Sequence, residues 1–205
     1  MKTEELLTLE ERSSVGYYNK NAQSYIERTF HVEMKGCQNR FLKHLAPGAK
    51  ILDAGCGSGR DAVAFTKRGY DVLGLDASVE MVKHVKEQLH IPVLQGYFQE
   101  MEFSELFDGI WASASLLHVL PSELPDVLHR FWKALKPDGV IAIFFKDGQG
   151  VRKETDRTFT YMDKESLSHY LNEFHILDEW YHIPKEGVNN TTCKWFNTIA
   201  RKRRK

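Results

Sequence analysis

Short apolar runs alternate with segments of helical periodicity from residue 49 onward. Five runs are predicted to be β-strands: KILDA at 50–54, DVLGLD at 71–76, IPVLQG at 91–96, FDGIWAS at 107–113 and VIAIFF at 140–145. Helices are predicted over 60–68, over 79–89 with Ser78 as the N-cap, and from Leu124, with Val127, Leu128, Phe131, Trp132 and Leu135 on one buried face. This alternation is typical of βα units, five in order, around a largely parallel sheet.

The two ends of the chain follow other patterns. The first 45 residues predict helices: a polar segment at 3–12, NAQSYIERT at 21–29, and a segment with Met34, Cys37, Phe41 and Leu45 on one face. Beyond Asp163, the predicted N-cap of a short helix, FHILDEWYHI and TCKWFNTIAR predict two strands that form a hairpin around PKEGVNN.

These elements together predict an α/β fold. It is a doubly wound, seven-stranded, mostly parallel sheet with one antiparallel strand in a C-terminal hairpin, preceded by N-terminal helices. We predict one domain over residues 1–205, with a helical cap at 1–46, a core at 47–202 and a basic tail at 203–205.

Composition and charge exclude several classes of protein. Lysine plus arginine equals aspartate plus glutamate at 28 each, so no global field favours nucleic acid or an anionic membrane. The terminal RKRRK is expected to be a solvated, frayed end. Three cysteines at no metal-like spacing, with no secretory or long apolar segment, predict a reduced cytoplasmic protein without a bound metal or a membrane span. No oligomeric state follows from the sequence.

A glycine-rich loop follows the first predicted strand. Gly55, Gly57 and Gly59 lack Cβ atoms, so the backbone can adopt positive φ and approach a ligand closely at the carboxyl end of the sheet. The frame GSGRDA also fits a dinucleotide fingerprint, with Asp76 in the ribose position. Asp53 lies two residues before the loop, and in the frame GCGSGR Arg60 stands where the third glycine of that fingerprint would pack; both favour a different ligand.

The stretch ILDAGCGSGRD resembles the first motif of the S-adenosylmethionine-dependent methyltransferases with a Rossmann-like domain. The resemblance extends through LGLDAS, GYFQEMEF, FDGIWASASLLHV and LKPDGVIAIFFK. Within that family the chain looks most similar to small tellurite-resistance-type or general small-molecule methyltransferases. The resemblance implies the cofactor S-adenosylmethionine and the product S-adenosylhomocysteine.

The resemblance also implies which residues bind the cofactor. The three loop glycines would pass beneath its methionine and ribose, Asp53 would steady the loop or reach the amino group, and Asp76 would accept hydrogen bonds from the ribose hydroxyls. The remaining predicted cofactor residues are Tyr18 and Tyr25 beside the sulfonium, Phe98 and Gln99 at the adenine, Ser113 at the methionine end, and Arg60 and Ala77. Relatives often carry an aspartate where this chain has Tyr97.

Fewer residues are predicted for the part of the site that would hold the methyl acceptor. His118 is the candidate general base because it follows the fourth strand and titrates near neutrality, although a histidine that only orders its loop is the alternative. Tyr17 and Lys146 are predicted to face the acceptor. The place after the fourth strand reads SASLLH, where DNA amino-methylating enzymes carry Asn or Asp-Pro-Pro-Tyr, so nucleic acid is disfavoured. The segment GQGVRKETDRTFTYMD is predicted to be a mobile lid.

The predicted function is methyl transfer to a small molecule, driven mainly by alignment and by exclusion of water. An NAD(P)-dependent reductase and a non-catalytic S-adenosylmethionine-binding module remain alternatives, and an RNA methyltransferase is a minor one.

Overall fold

The computed structural model describes residues 14–183 and 193–204. Three helices begin the described chain: α1 at Val15–Lys20, α2 at Ala22–Thr29 and α3 at Lys35–Leu42. The last of these buries Phe41 and Leu42, as its apolar spacing predicts. The helix predicted at 3–12 and the loop PKEGVNN lie outside the described residues.

A seven-stranded sheet forms the centre of the described chain. Its strands are β1 Lys50–Ala54, β2 Asp71–Asp76, β3 Val93–Gln95, β4 Phe107–Ala112, β5 Leu135–Lys146, β8 Phe174–His182 and β9 Trp195–Lys202, in the order β3-β2-β1-β4-β5-β9-β8. Only β9 runs antiparallel to its two neighbours. The predicted Rossmann-like fold with one reversed strand is therefore confirmed.

Helices cover both faces of this sheet. They are α4 at Arg60–Lys67, α5 at Val79–Gln88, α6 at Leu124–Ala134 and α7 at Lys164–Ser168. Ser78 caps α5 by accepting a hydrogen bond from the Met81 amide at 3.3 Å, and Asp163 caps α7 through the Ser166 amide at 2.8 Å. Both predicted N-caps are confirmed.

Alternate side chains of β5 are buried in two hydrophobic cores, one on each face of the sheet. Ile141, Ile143 and Phe145 are buried on one face, with α6 and its Phe131. Val140, Ala142 and Phe144 are buried on the other, where Trp111 is surrounded by the rings of Phe41, Phe65 and Phe144 at centroid distances of 4.7–5.4 Å. Aromatic packing of this kind fixes the sheet on which the loops stand.

Two predicted βα units differ in the structure. Strand β3 is shorter than IPVLQG, and a single 3₁₀ turn at Phe98–Glu100, instead of an α-helix, leads from β3 toward β4. Strand β5 begins earlier than predicted, at Leu135, and its ladder with β4 is interrupted before Val140, where Asp138 has a φ of 63°. The predicted turn at 137–139 is thus an irregularity within a strand.

The segment predicted to be a mobile lid is a β-hairpin. Strands β6 at Gly150–Glu154 and β7 at Arg157–Tyr161 pair antiparallel in a second, two-stranded sheet. The buried Thr160 ties β7 to the rest of the fold by donating a hydrogen bond to the Val119 carbonyl at 2.7 Å.

The basic end of the chain is anchored through residue 204, which corrects the expectation of a frayed tail. The Lys202 side chain is buried and donates to the Leu135 carbonyl at 2.6 Å. Arg203 donates to the Phe174 carbonyl at 2.8 Å, and Arg204 pairs with Asp138. Within the described residues, no helix has the length and apolarity needed to cross a membrane.

Candidate functional site

The glycine loop at 55–59 links β1 to α4 at the edge where strand order reverses between β1 and β4. Gly55, Gly57 and Gly59 have φ values of 74°, 49° and 74°. A Cβ at Gly55 would lie 2.3 Å from the Ser115 Cβ, so no larger residue fits there. The loop therefore presents bare backbone to the space above the sheet.

Asp76 ends β2 beside this loop. One carboxylate oxygen accepts from the Gly57 amide at 2.8 Å, and the other accepts from the Ser78 amide at 2.9 Å. Burial raises the pKa of Asp76 despite these hydrogen bonds. These two hydrogen bonds thus hold the carboxylate at the carboxyl ends of β1 and β2.

A second acid lies beneath the loop. Asp53 is only 2% exposed, and its Oδ2 has no hydrogen-bond partner among the described residues. Burial, followed by the nearby Asp61 carboxylate, raises its pKa well above the ordinary value. Asp61 itself is satisfied, because Arg60 pairs with it at 2.6 Å and Gln38 donates to it at 2.7 Å.

These elements line a cleft that is open to solvent on one side. A concave site with apolar walls and a few polar groups suits a small-molecule ligand. Nine predicted site residues line it: Tyr18, Tyr25, Gly55, Gly57, Asp76, Ala77, Phe98, Gln99 and His118. Six others do not: Tyr17, Asp53, Gly59, Arg60, Ser113 and Lys146.

Eight lining residues were not predicted: Ser14, Val15, Met81, Gly96, Tyr97, Ala114, Ser115 and Val119. Three of them, Tyr97, Ala114 and Val119, directly adjoin a predicted residue in the chain, so their sequence neighbourhood was a usable signal. Ser115 enters because its hydroxyl donates to the Ala54 carbonyl at 2.7 Å, a contact across 61 residues that no local pattern reveals.

Aromatic rings form two walls of the cleft. The Tyr18 and Tyr25 rings meet edge to face with centroids 5.0 Å apart, and a Cβ at Gly57 would lie 3.5 Å from Tyr25. On the opposite side, the Phe98 ring packs edge-on against Phe131 at 5.3 Å. Phe98 therefore contributes to both the core and the cleft.

His118 lies at the end of the cleft next to Tyr18. Its Nδ1 is 2.8 Å from the Thr158 carbonyl, which can only accept, so we assign the proton to Nδ1. Its Nε2 then accepts from the Tyr18 hydroxyl at 2.8 Å. Burial lowers the pKa of His118 to about 4, so the ring is neutral near neutral pH.

The β6–β7 hairpin stands behind Tyr18 and His118. Lys146 at the end of β5 pairs with Glu154 at 2.8 Å and lies 3.7 Å from the centre of the Phe159 ring. Tyr17 stacks with the Arg157 guanidinium at 4.4 Å. Tyr17 and Lys146, predicted to face the acceptor, thus contact the hairpin behind Tyr18 and His118 and do not line the cleft.

The residues present fit S-adenosylmethionine. The glycine loop leaves room for a ligand against the backbone, and Asp76 offers a carboxylate to ribose hydroxyls. The unpartnered Asp53 oxygen suits an ammonium group. The tyrosine wall suits a sulfonium cation, which an aromatic face attracts. In the described ranges, no cluster of three or more histidine, cysteine or acidic residues could hold a metal ion.

Comparisons with known proteins agree with this geometry. Residues 51–139 match a protein family described as a methyltransferase domain. An uncharacterised methyltransferase from Synechocystis is 33% identical over 118 residues, which is 53% of this chain and 55% of that protein. The malonyl-[acyl-carrier protein] O-methyltransferase of Erwinia pyrifoliae is 28% identical over 82% of this chain and 62% of its own length. The chain therefore spans little more than half the length of these relatives.

The fold also matches solved structures. The 1,6-didemethyltoxoflavin-N1-methyltransferase of Burkholderia thailandensis, crystallised with its acceptor and S-adenosylhomocysteine, superposes with a TM-score of 0.77 at 21% identity. The match covers 94% of this chain and 87% of that one. The described chain thus shares the fold of that methyltransferase.

Proposed function

We propose that the protein is an S-adenosylmethionine-dependent enzyme that methylates a small organic acceptor, a proposal supported by the match of residues 51–139 to a methyltransferase domain. The observation that carries the proposal is the meeting of Asp76, the loop glycines and the tyrosine wall in one cleft. Neither a reductase nor a non-catalytic module is favoured by the comparisons.

The binding roles follow from the contacts. Asp76 would exchange its hydrogen bond with Gly57 for hydrogen bonds from the ribose hydroxyls, and Asp53 would pair with the amino group. Phe98 and Gln99 would hold the adenine, where Phe98 offers a ring face and Gln99 a side-chain amide. Gly59, Arg60 and Ser113 would act indirectly, through the shape of the loop and of the strand end.

The bound cofactor supplies a methyl group activated by the positive charge on its sulfur. The task of the chain is to align the acceptor with that group and to exclude water, which together account for roughly 7–11 kcal/mol in well-oriented reactions. Tyr18 and Tyr25 are half-buried, and desolvation raises the pKa of each hydroxyl. They would act as neutral walls.

His118 is proposed to serve catalysis through Tyr18. Because the Tyr18 hydroxyl donates to His118 Nε2, a proton released by an acceptor hydroxyl or ammonium at Tyr18 could pass to that nitrogen. The depressed pKa of His118 makes it a weak base. This arrangement therefore suits an acceptor that is already nucleophilic, with alignment as the main source of rate.

We propose a small molecule as the acceptor and the cytoplasm as the site of action. One relative is named a malonyl-[acyl-carrier protein] O-methyltransferase and another a trans-aconitate 2-methyltransferase, whereas the comparisons do not specifically support a tellurite-type acceptor. The segment after β4 lacks the motif of the DNA amino-methylating enzymes. The cysteines at 37, 56 and 193 are all free, as in a reducing compartment.

The test is isothermal titration of the purified protein with S-adenosylhomocysteine, with NADH and NADPH as parallel ligands. We expect saturable binding of S-adenosylhomocysteine alone. Binding of a dinucleotide alone would overturn the proposal in favour of a reductase. Addition of a panel of organic acids, amines and phenols to the protein with labelled S-adenosylmethionine then distinguishes an enzyme from a binding module.

A further inference from the structure

One face of the β6–β7 hairpin is unusually rich in charge and aromatic rings. Directly paired residues of an antiparallel ladder share a face, and the pairs here are Gly150 with Tyr161, Arg152 with Phe159, and Glu154 with Arg157. Lys146 from β5 lies against the same face, over the Phe159 ring. Three cationic side chains, of Lys146, Arg152 and Arg157, and one acidic side chain, of Glu154, thus lie close together beside Tyr18 and His118.

These three cations differ in their partners. Lys146 is neutralised by Glu154, and the Tyr161 hydroxyl donates to the same carboxylate. Arg152 is exposed and lies 4.2 Å from the Tyr161 ring centre. Arg157 forms no ion pair with any acid of the described residues, and its buried Nε has no hydrogen-bond partner among them.

Arg157 is nevertheless held firmly in place. Its guanidinium lies 4.4 Å from the Tyr17 ring centre and 4.9 Å from that of Phe159. Two aromatic contacts restrict the plane of the guanidinium and leave its N–H groups to a ligand in that plane. A buried polar group without a partner is uncommon in native structures, and here it belongs to a cation that also has no acid paired with it among the described residues.

The position of Arg157 connects it with the cofactor cleft. Its positive charge lies close enough to Tyr18, which lines the cleft, to act toward lowering the pKa of the Tyr18 hydroxyl. The Phe159 ring is 4.9 Å from the ring of His118, which also lines it. Arg157 therefore lies one side chain away from the place where the methyl group would be transferred.

We propose that Arg157 anchors an oxyanion of the methyl acceptor, so that the acceptor is a small organic acid or phosphate ester. This inference rests on the proposed function. Carboxylate and phosphate both accept paired hydrogen bonds from a guanidinium, and either would supply the partner that Nε lacks. The Tyr17 and Phe159 rings would line the same subsite with apolar surface.

The experiment uses the full-length protein saturated with S-adenosylhomocysteine and titrated by NMR with benzoate, phenyl phosphate and benzyl alcohol. We expect at least one of the two anions to bind roughly tenfold more tightly than the neutral alcohol. The stronger of the two identifies the acceptor as a carboxylate or a phosphate. Equal affinity for all three probes, or no binding, would overturn the proposal.

Two variants locate the effect. Arg157→Gln should weaken binding of the preferred anion by roughly tenfold or more, whereas Lys153→Gln, which removes the same charge from the exposed opposite face, should change it less than about twofold. Arg157→Lys should give an intermediate loss because an ammonium lacks the planar fork. Equal effects of the Arg157 and Lys153 variants on anion binding would contradict the assignment.

A control separates this inference from the proposed function. S-adenosylhomocysteine should bind wild type and Arg157→Gln with affinities within about threefold, since Arg157 does not line its cleft. Loss of that binding in wild type would refute the proposed function itself. If Arg157→Gln fails to fold, the ratio between anion and alcohol in wild type decides the question.

Discussion

A buried carboxylate with one unpartnered oxygen lowers the stability of the folded state, and Asp53 is such a group. Its pKa is raised in the folded protein, so the stability that it contributes is present in acid, where both states are protonated. That stability is lost as the pH rises above the unfolded value. At neutral pH the acid therefore destabilises the fold that it serves.

Replacement of Asp53 by Asn should consequently stabilise the protein at neutral pH, by about 1–2 kcal/mol in urea unfolding. The same change should weaken binding of S-adenosylhomocysteine by roughly tenfold, because the partner of its amino group is lost. The matched control is Asp61→Asn, which leaves Arg60 without its buried partner and should destabilise. A stability loss in Asp53→Asn would show that its carboxylate is satisfied in solution.

Asp76→Ala should reduce affinity for S-adenosylhomocysteine by roughly tenfold to a hundredfold, because hydrogen bonds to a charged group contribute about 1.5–3 kcal/mol each. Asp71→Ala, at the other end of β2, removes an exposed carboxylate whose one ion-pair partner among the described residues is Lys50 at 3.3 Å, and it should leave affinity unchanged. Calorimetric titration measures both. Unchanged affinity in Asp76→Ala would refute the ribose assignment.

The buried imidazole of His118 predicts a dependence of stability on pH. Its pKa is lowered to about 4 in the folded state, so its contribution is complete above the unfolded value of 6.5 and is lost as the pH falls toward 4. The loss is up to about 3 kcal/mol, at about 1.4 kcal/mol per unit. Unfolding of wild type and His118→Gln between these pH values measures it, and parallel curves would contradict it.

His118→Ala should lower turnover without a marked change in affinity for S-adenosylhomocysteine, because the proposed role of the ring is to support Tyr18. Turnover of the best acceptor and calorimetric affinity are measured on the same preparation. The conservative His118→Gln, whose amide can still accept from Tyr18, should retain part of the rate. Full turnover in the alanine variant would reduce His118 to a role in loop structure.

At this scale the sequence located most of the cleft, because Asp76, Gly57 and Phe98 follow strand ends and strand ends meet at one edge. The sequence could not show which side chains contact each other across the fold. The contact of Ser14 with His118 at 3.0 Å spans 104 residues, and the isolation of Arg157 depends on which acids the hairpin brings near it. Periodicity carries no information about such pairs.

At the scale of elements, the loop between β1 and α4 should tolerate no side chain at its first glycine. Gly55→Ala combines a φ of 74° with a 2.3 Å approach to Ser115, and should cost about 2–4 kcal/mol of stability. Gly36→Ala, in α3 with nothing within 4 Å, should be neutral or stabilising by up to about 1 kcal/mol. Thermal unfolding compares them, and equal effects would contradict the packing described for the loop.

The helices and long strands were predictable because their apolar spacing matches a single period, as in α6 and β2. The β6–β7 hairpin was not predictable in this way. Its turn has Thr155 at a φ of 55°, a position where glycine or asparagine would have been the recognisable signal. Strand β3 contributes only three residues at the sheet edge, too few for a clear alternation.

At the scale of the whole molecule, the N-terminal helices depend on the cleft for their order. Helix α2 has no fully buried residue and α1 buries only Val15. Tyr18 and Tyr25 from these helices both line the cleft. An element with so little buried surface opens readily, and a ligand that fills the cleft should hold it closed.

Hydrogen exchange with and without S-adenosylhomocysteine tests this dependence. We expect added protection in α1, in α2 and in the loop at 55–59, with no change in β8 and β9, which lie at the distant edge of the sheet. The predicted division between a cap and a core would then have a physical basis. Uniform protection, or none in α1 and α2, would contradict it.

The position of β9 between β5 and β8 has a consequence for how the chain is made. On the ribosome, β1 to β5 are synthesised first, yet β5 pairs across seven residues with β9, whose partner positions lie 49 to 61 residues further along the chain. Until then, the apolar edge from Val140 to Phe145 stays open, and β8 has no neighbour. Newly synthesised chains thus pass through an aggregation-prone intermediate in which the sheet is incomplete. Slower translation near residues 175–195, or a chaperone bound at that stage, should raise the yield of native protein.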